Sequence, residues 1–377
     1  MLPTRLVEAF SSIRDPRMER TRLHSLVDIL VISLLAVING ATGWHDMELF
    51  ARGRLPWLRT FLTLPNGAPS EDTFRRVLES VNPKEFGDCM TLIISDLVAD
   101  LAGKVVAIDG KTMRGSFDRR RGKSALHVVS AWVSELGLSL GQISVDDKSN
   151  EITAIPELLK TIDIEGATVT IDAMGCQKAI AEAIVEAKAD YILAVKDNHP
   201  KLRAAIEGGF SDLSDPEGNK LVADQDTTEG KGHGRLERRR VRVLNDIGWI
   251  ADIESWKGAK SVVEVERTRT VAGEVSIERA YLISSLTITA ASMGQRVRSH
   301  WGVENSLHWV LDVTYGEDKS RIRDRNSAAN INALRKLSAA LLKRTPGHGS
   351  KSVAGRRKLA GWVPDYAFDV LAAIHRK

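Results

Sequence analysis

The sequence predicts a mixed α/β core that follows a helical N-terminal region. Before residue 100, apolar residues recur every three or four positions, which is the period of a buried helix face. Short β-branched runs begin near residue 104 and alternate with amphipathic stretches. The chain has 377 residues and is 43% apolar, enough for two or three domains with large cores. Its two cysteines, Cys89 and Cys176, exclude a disulfide framework and a cysteine-rich zinc site.

The N-terminal region, residues 1–100, is predicted to be helical. Its longest apolar stretch, Leu26–Ile38, is shorter than the roughly 20 residues of a membrane span, and no apolar leader precedes it. We therefore expect a cytoplasmic protein without membrane contact. Ser70 is predicted to cap a helix that bears Arg75 and Arg76. That helix either docks on DNA or belongs to a small bundle packed on the next domain, and the sequence leaves both alternatives open.

Residues 101–199 are predicted to form the first part of the core. Gly137 lies between the second and third strands as a hairpin turn, so the sheet starts antiparallel and continues parallel. The order strand, strand, strand, helix, strand, helix, strand is the topology of the ribonuclease-H-like fold, with a mixed five-stranded sheet flanked by helices. The predicted strands are residues 105–108, 125–133, 138–145, 169–172 and 191–195, and the predicted helices start at Ile155 and at residue 177.

After residue 199 the pattern changes again. A polar stretch at residues 213–234 is predicted to be a loop, and three β-rich runs follow it. The remaining regions are predicted to be a β-rich insertion at residues 200–290, the last part of the core at residues 291–345, with helices at 295–312 and 327–343, and a basic C-terminal tail at residues 346–377.

Two carboxylates occupy the same local position in this pattern. Asp109 and Asp172 each end a short β-branched strand, and each precedes a small residue and a turn. Ligand sites form at the carboxyl ends of strands in open α/β sheets. Two acids brought together there repel each other unless they share a cation or a proton, and Mg²⁺ readily takes carboxylate oxygens. A single aspartate would more ordinarily cap its turn, but the matched pair favours a metal site.

A third carboxylate is needed to hold two metal ions about 4 Å apart. On an α-helix over residues 297–313, Glu304 shares a stripe with Trp301 and His308. A glutamate on such a stripe is not expected to point freely into water, so it either meets a metal or pairs with a neighbour such as Arg298. Asp312 and Asp318 are the competing third acids.

Four motifs carry a resemblance to a known family: AIDGKT at residues 107–112, DDKSNEI at 146–152, TIDAMGCQ at 170–177 and HWGVENSLHW at 300–309. The chain resembles the bacterial insertion-sequence transposases of the DDE type, in the branch that includes the H-repeat-associated proteins. The resemblance runs through nearly the whole chain. It implies a ribonuclease-H-like core in which Asp109, Asp172 and Glu304 are catalytic and hold two Mg²⁺ or Mn²⁺ ions, with a β insertion before the last acid.

The resemblance also implies an activity. Such an enzyme is a metal-dependent endonuclease and polynucleotidyl transferase that cleaves transposon ends and joins them to target DNA. Its partners would be double-stranded DNA, namely terminal inverted repeats and target DNA, and a second copy of the chain, in association with the bacterial nucleoid. Two alternatives stay open: a structure-selective nuclease of the same fold, and a catalytically inactive DNA-binding protein derived from a transposase.

The sequence departs from the family around the last acid. Related DDE transposases carry Tyr, Arg and Lys at offsets −7, −4 and +7 from the glutamate, where this chain has Val297, His300 and Leu311. His300 can still contact a phosphate, whereas the two aliphatic residues cannot donate hydrogen bonds. The nearest cationic replacements are Lys319, Arg321, Arg323 and Arg325.

Basic clusters supply candidates for DNA contact. Lys and Arg number 53 against 49 Asp and Glu, a net charge of +4 that permits a polyanionic partner without requiring one. For each cluster a solvated charged face is the alternative. The glycine-rich run at residues 230–234 lacks a Gly-Lys-Ser/Thr ending, which excludes a nucleotide-binding loop. The candidate DNA-binding residues are Lys111, Arg119, Arg120, Lys148, His233, Arg235, Arg238, His300, Arg321 and Arg323.

Overall fold

In a computed structural model of the chain, residues 2–98, 100–118, 121–145, 150–213, 221–232, 234–350 and 352–375 are described. The chain divides into two compact units, each assembled from segments far apart in sequence. The first comprises Met1–Asp100, Gly110–Ile162 and Val303–Lys377, and the second comprises Leu101–Asp109 and Asp163–Gly302.

The helices and strands follow the chain in this order. The helices are α1 (Thr4–Ser11), α2 (Leu26–Ile38), α3 (Trp44–Gly53), α4 (Leu55–Leu58), α5 (Glu71–Ser80), α6 (Pro83–Ser95), α7 (Glu151–Thr161), α8 (Lys178–Glu186), α9 (Pro200–Asp212), α10 (Ala290–His300), α11 (Arg325–Arg344), α12 (Val353–Trp362) and α13 (Pro364–Ala372). The strands are β1 (Val105–Thr112), β2 (His127–Val133), β3 (Leu138–Val145), β4 (Thr168–Ile171), β5 (Asp190–Val195), β6 (Asp224–Gly232), β7 (Arg235–Leu244), β8 (Ser261–Val271) and β9 (Glu274–Ser284).

The first unit is built around α2 and α11. Nearly every residue of α2 is buried, which explains why its sequence is apolar on all sides rather than on one stripe. Ser25 caps its N-terminus by accepting a hydrogen bond from the Asp28 amide. Helix α11 packs against α2, α5, α6 and β3. None of the described helices is both long and apolar enough to cross a membrane.

Several sequence predictions for the first unit agree with the structure. Residues 4–95 contain α1 to α6, and Ser70 caps α5 by accepting from the Thr73 amide at 3.4 Å. Strands β2 and β3 form an antiparallel hairpin whose turn places Gly137 at φ +65°, a conformation that favours glycine. Arg75 pairs with Asp72 and Glu79 on its own helix.

Residues 346–377 contain two helices that pack within the first unit. Arg357 donates to the carbonyl oxygens of Val37, Ala41 and Thr314, so its guanidinium satisfies acceptors at the end of α2, just after it and at the end of residues 310–314. Arg356 donates to two carbonyl oxygens near the end of α11. Two of the six Lys and Arg side chains in this basic segment therefore act inside the fold.

The second unit contains a sheet in the order β1-β4-β5-β9-β8-β7-β6. Strands β1, β4 and β5 are parallel, and β9 joins β5 antiparallel, with Ile192 opposite Ser284 and Val195 opposite Tyr281. In the first unit, β2 lies between β3 and the end of β1. The antiparallel pair β2–β3 and the parallel strands β1, β4 and β5 agree with the predicted antiparallel start and parallel continuation.

The region after β5 differs from the prediction. Residues 200–212 form α9, and residues 224–232 of the predicted loop form the strand β6. Strands β6 to β9 also continue the sheet through the β5–β9 pairing. The sequence of β6, DQDTTEGKG, gives no strand signal. An edge strand that is exposed along nearly all its length needs no alternation of apolar and polar residues.

Candidate active site

Asp109 and Asp172 lie at equivalent positions on adjacent parallel strands. The paired residues of β1 and β4 run from Val105–Thr168 to Ile108–Ile171; Asp109 is the next residue of β1, and Asp172 directly follows β4. Adjacent strands are about 4.8 Å apart. Both residues are half-buried. Strand β1 continues through Asp109 to Thr112, so the prediction that the strand ends at Asp109 in a turn is wrong.

Asp172 also holds the turn that follows it. Its Oδ1 accepts hydrogen bonds from the amides of Met174 at 3.0 Å and Gly175 at 3.4 Å. This is the turn-capping role that the sequence offered as the alternative. Because both bonds use Oδ1, the position of the carboxylate is fixed while Oδ2 can face a ligand.

Two residues that sequence reasoning missed brace this turn. Asn198 Nδ2 donates to Ala173 O at 2.8 Å, and His199 Nε2 lies 2.7 Å from Cys176 O. Both residues follow β5 directly, so the third parallel strand contributes to the same edge of the sheet. The polar sequence DNHP after an apolar strand was the available signal.

His300, at the end of α10, belongs to the same edge. Its Nδ1 lies 3.0 Å from Thr170 Oγ1, and Thr170 is two residues before Asp172. Burial lowers the pKa of His300, although the nearby Asp172 carboxylate acts in the opposite direction. A neutral imidazole carries one donor and one acceptor nitrogen. His300 is therefore a candidate phosphate contact that lies near Asp172.

Glu304 lies on an irregular helical segment of the first unit. Residues Glu304–His308 and Val310–Thr314 form π-helical turns, with i→i+5 hydrogen bonds, in place of the predicted α-helix. The stripe expected from α-helical spacing is therefore wrong, and Glu304 is exposed. The buried face consists of Val303, Leu307, Val310 and Leu311.

The two aliphatic departures from the family pattern have structural roles. Leu311 is fully buried, and Val297 packs against the apolar cluster formed by β5, β7, β8, β9 and α10. A polar side chain at either position would place a polar group in apolar surroundings, where it would need a hydrogen-bond partner.

The donor set fits a hard divalent cation in part. Mg²⁺ is bound by one or two carboxylates and keeps several waters, and Asp109 and Asp172 supply two carboxylates at one sheet edge. Within the described ranges, no group of three or more His, Cys, Asp and Glu side chains is placed to hold a metal ion.

Lys111 lies in a cluster of carboxylates. Its Nζ is 2.6 Å from Asp312 Oδ1, 3.2 Å from Glu317 Oε2 and 3.6 Å from Asp318 Oδ1. Burial lowers the pKa of Lys111, but the Glu317 and Asp312 carboxylates raise it by more, so the lysine stays charged. The two competing third acids, Asp312 and Asp318, are thus engaged with a lysine, and sequence reasoning missed the buried Glu317.

The first unit also contains a buried pair of polar side chains, His127 and Glu151, next to the end of β1. His127 Nε2 contacts Glu151 Oε1, and His127 Nδ1 lies 2.9 Å from Thr112 Oγ1. Both members of the pair are almost fully buried. His127 and Glu151 therefore form part of the core of the first unit, where His127 contacts the last residue of β1.

The other predicted DNA contacts divide into two groups. Arg119, Arg120, Lys148 and His233 lie outside the described residues. The remaining four, Arg235, Arg238, Arg321 and Arg323, are exposed. Arg238 lies 3.7 Å from Glu229 across the β6–β7 pair.

Comparisons with known proteins agree on one family. A family model described as Transposase DDE domain matches residues 101–341, and one described as DDE_Tnp_1-associated matches residues 7–92. The chain is 41% identical over 344 residues to the putative transposase YncI of Escherichia coli O157:H7, covering 90% of this chain and 87% of that protein. It is 39% identical over 345 residues to the H repeat-associated putative transposase YhhI of Escherichia coli K12, covering 90% of each.

A short relative and a solved structure are also similar to the chain. A stretch of 74 residues, 20% of this chain and 88% of the relative, is 39% identical to the inactive transposase YbfQ of Escherichia coli K12. Among solved structures, a piggyBac transposase synaptic complex with hairpin DNA matches with a TM-score of 0.44 and 12% identity, covering 99% of this chain and 80% of that one.

Proposed function

Because this chain belongs to the DDE transposase family, we propose that it cleaves DNA at the ends of an insertion element and joins those ends to target DNA. The observation that carries the proposal is the position of Asp109 and Asp172, which directly follow the paired residues Ile108 and Ile171 of the parallel strands β1 and β4. The strand order 3-2-1-4-5 supports a ribonuclease-H-like core around this pair.

Asp109, Asp172 and Glu304 would hold two Mg²⁺ or Mn²⁺ ions in this proposal. Bound divalent ions lower the pKa of an attacking water or 3′-hydroxyl and stabilise the leaving oxygen. The chain itself fixes the ligands: the turn amides after Asp172 hold one carboxylate oxygen in place. His300, held by Thr170, would contact a DNA phosphate beside Asp172.

Glu304 is supported as the third acid by elimination and by its backbone. Asp312 and Asp318 contact Lys111, whereas Glu304 is exposed at the start of the segment. Single π-type turns inside helices occur frequently at functional sites.

Exposed arginines would neutralise the DNA backbone. Arg321 and Arg323 are exposed on either side of the half-buried Ile322 in the segment before α11. Phosphate contacts of this kind give affinity without sequence specificity. Cleavage and joining at two element ends would require at least two copies of the chain, acting on nucleoid DNA in the bacterial cytoplasm.

Cleavage and joining by purified protein test the proposal. The substrates are a DNA duplex carrying the inverted repeat that flanks the coding region, and the same end already cleaved, each with Mg²⁺ or Mn²⁺. We expect Asp109→Asn, Asp172→Asn and Glu304→Gln to lose at least 100-fold in rate, while Asp246→Asn, an exposed acid on another loop, retains the wild-type rate. Rates within tenfold of wild type in Asp109→Asn or Asp172→Asn would overturn the mechanism.

One observation favours a second candidate, a DNA-binding protein without catalysis. Val297 and Leu311 pack in apolar surroundings at the positions where relatives carry Tyr and Lys. Such a protein would bind the element end and show no metal-dependent turnover. A nuclease of the same fold would cut the first substrate but would not join the pre-cleaved end.

A further inference from the structure

We infer that Lys111 is a positioning residue that ties the strand carrying Asp109 to the helical segment carrying Glu304. The inference rests on the proposed function, because it names a residue that sets the geometry of the same site. Lys111 follows Asp109 by two residues on β1, and Asp312 follows Glu304 by eight residues in residues 304–314. The ion pair between Lys111 and Asp312 joins these two stretches of chain.

The environment of Lys111 is built to hold an ammonium group. Its side chain is only 11% exposed, and three carboxylates lie within 4 Å of Nζ. A phosphate brought to this ammonium would meet the negative charges of Asp312, Glu317 and Asp318 first. The surroundings therefore favour an internal link over a contact with DNA.

Glu317 anchors the link to the rest of the first unit. Its side chain is fully buried, and its Oε1 accepts from Asn332 Nδ2 at 2.8 Å and from Arg335 Nη1 at 3.3 Å. Both partners lie on α11. Removing one partner of a buried ion pair leaves an uncompensated buried charge, so a carboxylate held by three donors has little freedom to move. Lys111 is thus paired with a carboxylate whose position is fixed.

The distance from Lys111 to the proposed metal ligand is short. Residues two apart on a strand lie on the same face, about 7 Å apart along the chain. A shift of the Lys111 side chain is therefore transmitted to Asp109 through a single intervening residue. Gly110 between them has its α-carbon against Glu151 and His127, which limits how far the backbone can adjust.

The two roles of Lys111 predict different measurements. A lysine that contacts a DNA phosphate contributes about one unit to the slope of log affinity against log salt. A positioning lysine leaves affinity and slope unchanged and lowers the rate of the chemical step. Binding is measured with a labelled element end in the absence of divalent metal, and cleavage is measured in single turnover with Mg²⁺.

For Lys111→Met we expect a cleavage rate reduced by about 30-fold or more, an unchanged salt slope, and partial recovery in Lys111→Arg. The control is Lys84→Met, because Lys84 is 76% exposed and pairs only with Asp88 on its own helix. A slope reduced by about one, or a wild-type cleavage rate, would overturn the inference.

A second variant covers the case in which Lys111→Met fails to fold. Asp312→Asn removes the 2.6 Å contact and leaves Glu317 paired with Lys111, Arg335 and Asn332. We expect the same loss of rate at an unchanged salt slope, and a wild-type rate in this variant contradicts the positioning role.

Asp109→Asn, measured in the same experiment, separates the two proposals. If Asp109→Asn cleaves DNA, the proposed function fails. If it is inactive while Lys111→Met and Asp312→Asn cleave at the wild-type rate, the positioning role alone fails.

Discussion

Gly110 lies directly against the buried carboxylate of Glu151: a β-carbon at residue 110 would lie 2.2 Å from Glu151 Oε1. The same β-carbon would lie 2.2 Å from His127 Nε2. The glycine is therefore required by close packing, in a strand backbone of ordinary conformation. It lets a buried polar pair approach the chain immediately after Asp109.

The first prediction follows from this contact. Gly110→Ala should lower the free energy of unfolding by about 1–3 kcal/mol, because neither member of the pair can move without exposing or unpairing a buried polar group. The matched control is Gly208→Ala, a helical glycine with open space around it. That substitution should stabilise the protein by about 0.5–1 kcal/mol. Urea denaturation measures both, and equal effects of the two alanines would contradict the packing argument.

Part of this site was predictable from sequence, and the reason is periodicity. Strands β1 and β4 contain short β-branched runs that an aspartate follows directly, so the pairing of the two runs follows from the rules of parallel sheets, whereas the continuation of β1 to Thr112 had no apolar signal. The hairpin turn at Gly137 was predictable for the same kind of reason, since a left-handed residue between two strands favours glycine.

The features that sequence did not reveal lack a local signal. Glu317 is flanked by Gly316 and Asp318 and looks like part of a solvated loop, although it is fully buried. Its burial depends on Lys111 and Arg335, which are distant in sequence. The π-helical turns after Glu304 are equally hidden, because their residues follow no pattern that separates them from an α-helix.

Lys336 gives a prediction for the pH dependence of stability. It is fully enclosed, with Nζ 2.6 Å from Ser130 Oγ and 2.8 Å from Gln142 Oε1. Burial lowers the pKa of Lys336 to about 7, with Glu317 acting in the opposite direction and Lys111 adding to the decrease. The unfolded chain therefore binds more protons than the folded one above pH 7, and stability should rise with pH up to the unfolded pKa near 10.4.

The comparison with Lys336→Met isolates this contribution. The unfolding free energy of the wild type minus that of the variant should increase by up to about 1.4 kcal/mol per pH unit between pH 7 and pH 9. His308 does not contribute in this pH range. Burial lowers its pKa to about 3, and its imidazole is neutral in both the folded and the unfolded state above pH 7. Urea midpoints at three pH values suffice. A difference that is constant with pH would show that Lys336 is charged in the fold.

Arg357 gives a prediction about the carbonyl oxygens that its guanidinium satisfies, which include that of Val37 near the end of α2. Its guanidinium donates to three carbonyl oxygens at 2.7–3.0 Å and lies 4.4 Å from the ring centre of Tyr315. A lysine keeps the charge but lacks the planar fork, so at least one carbonyl loses its donor. Arg357→Lys should lower the unfolding free energy by about 2–4 kcal/mol. Arg76→Lys, at a side chain 71% exposed, should change it by less than about 0.5 kcal/mol, and a comparable loss in both would refute the role of the fork.

The last prediction concerns which face of β7 meets DNA. Arg235 and Arg238 are three residues apart on a strand, so their side chains point to opposite faces. Arg235 shares its face with Val241, and Val241 Cγ2 lies 3.1 Å from the β-carbon position of Gly294 on α10. Helix α10 ends at His300, which contacts Thr170 beside Asp172. The Arg235 face is thus the one that continues toward the candidate site.

Arg235→Gln should therefore reduce the salt slope of DNA binding by about one and weaken binding equally for cognate and unrelated duplexes. Arg238→Gln is the matched control, since it removes the same charge from the same strand on the opposite face and already pairs with Glu229. Its slope should equal that of the wild type. A reduced slope in Arg238→Gln with no change in Arg235→Gln would place the DNA on the other face of the sheet and separate it from the aspartate pair.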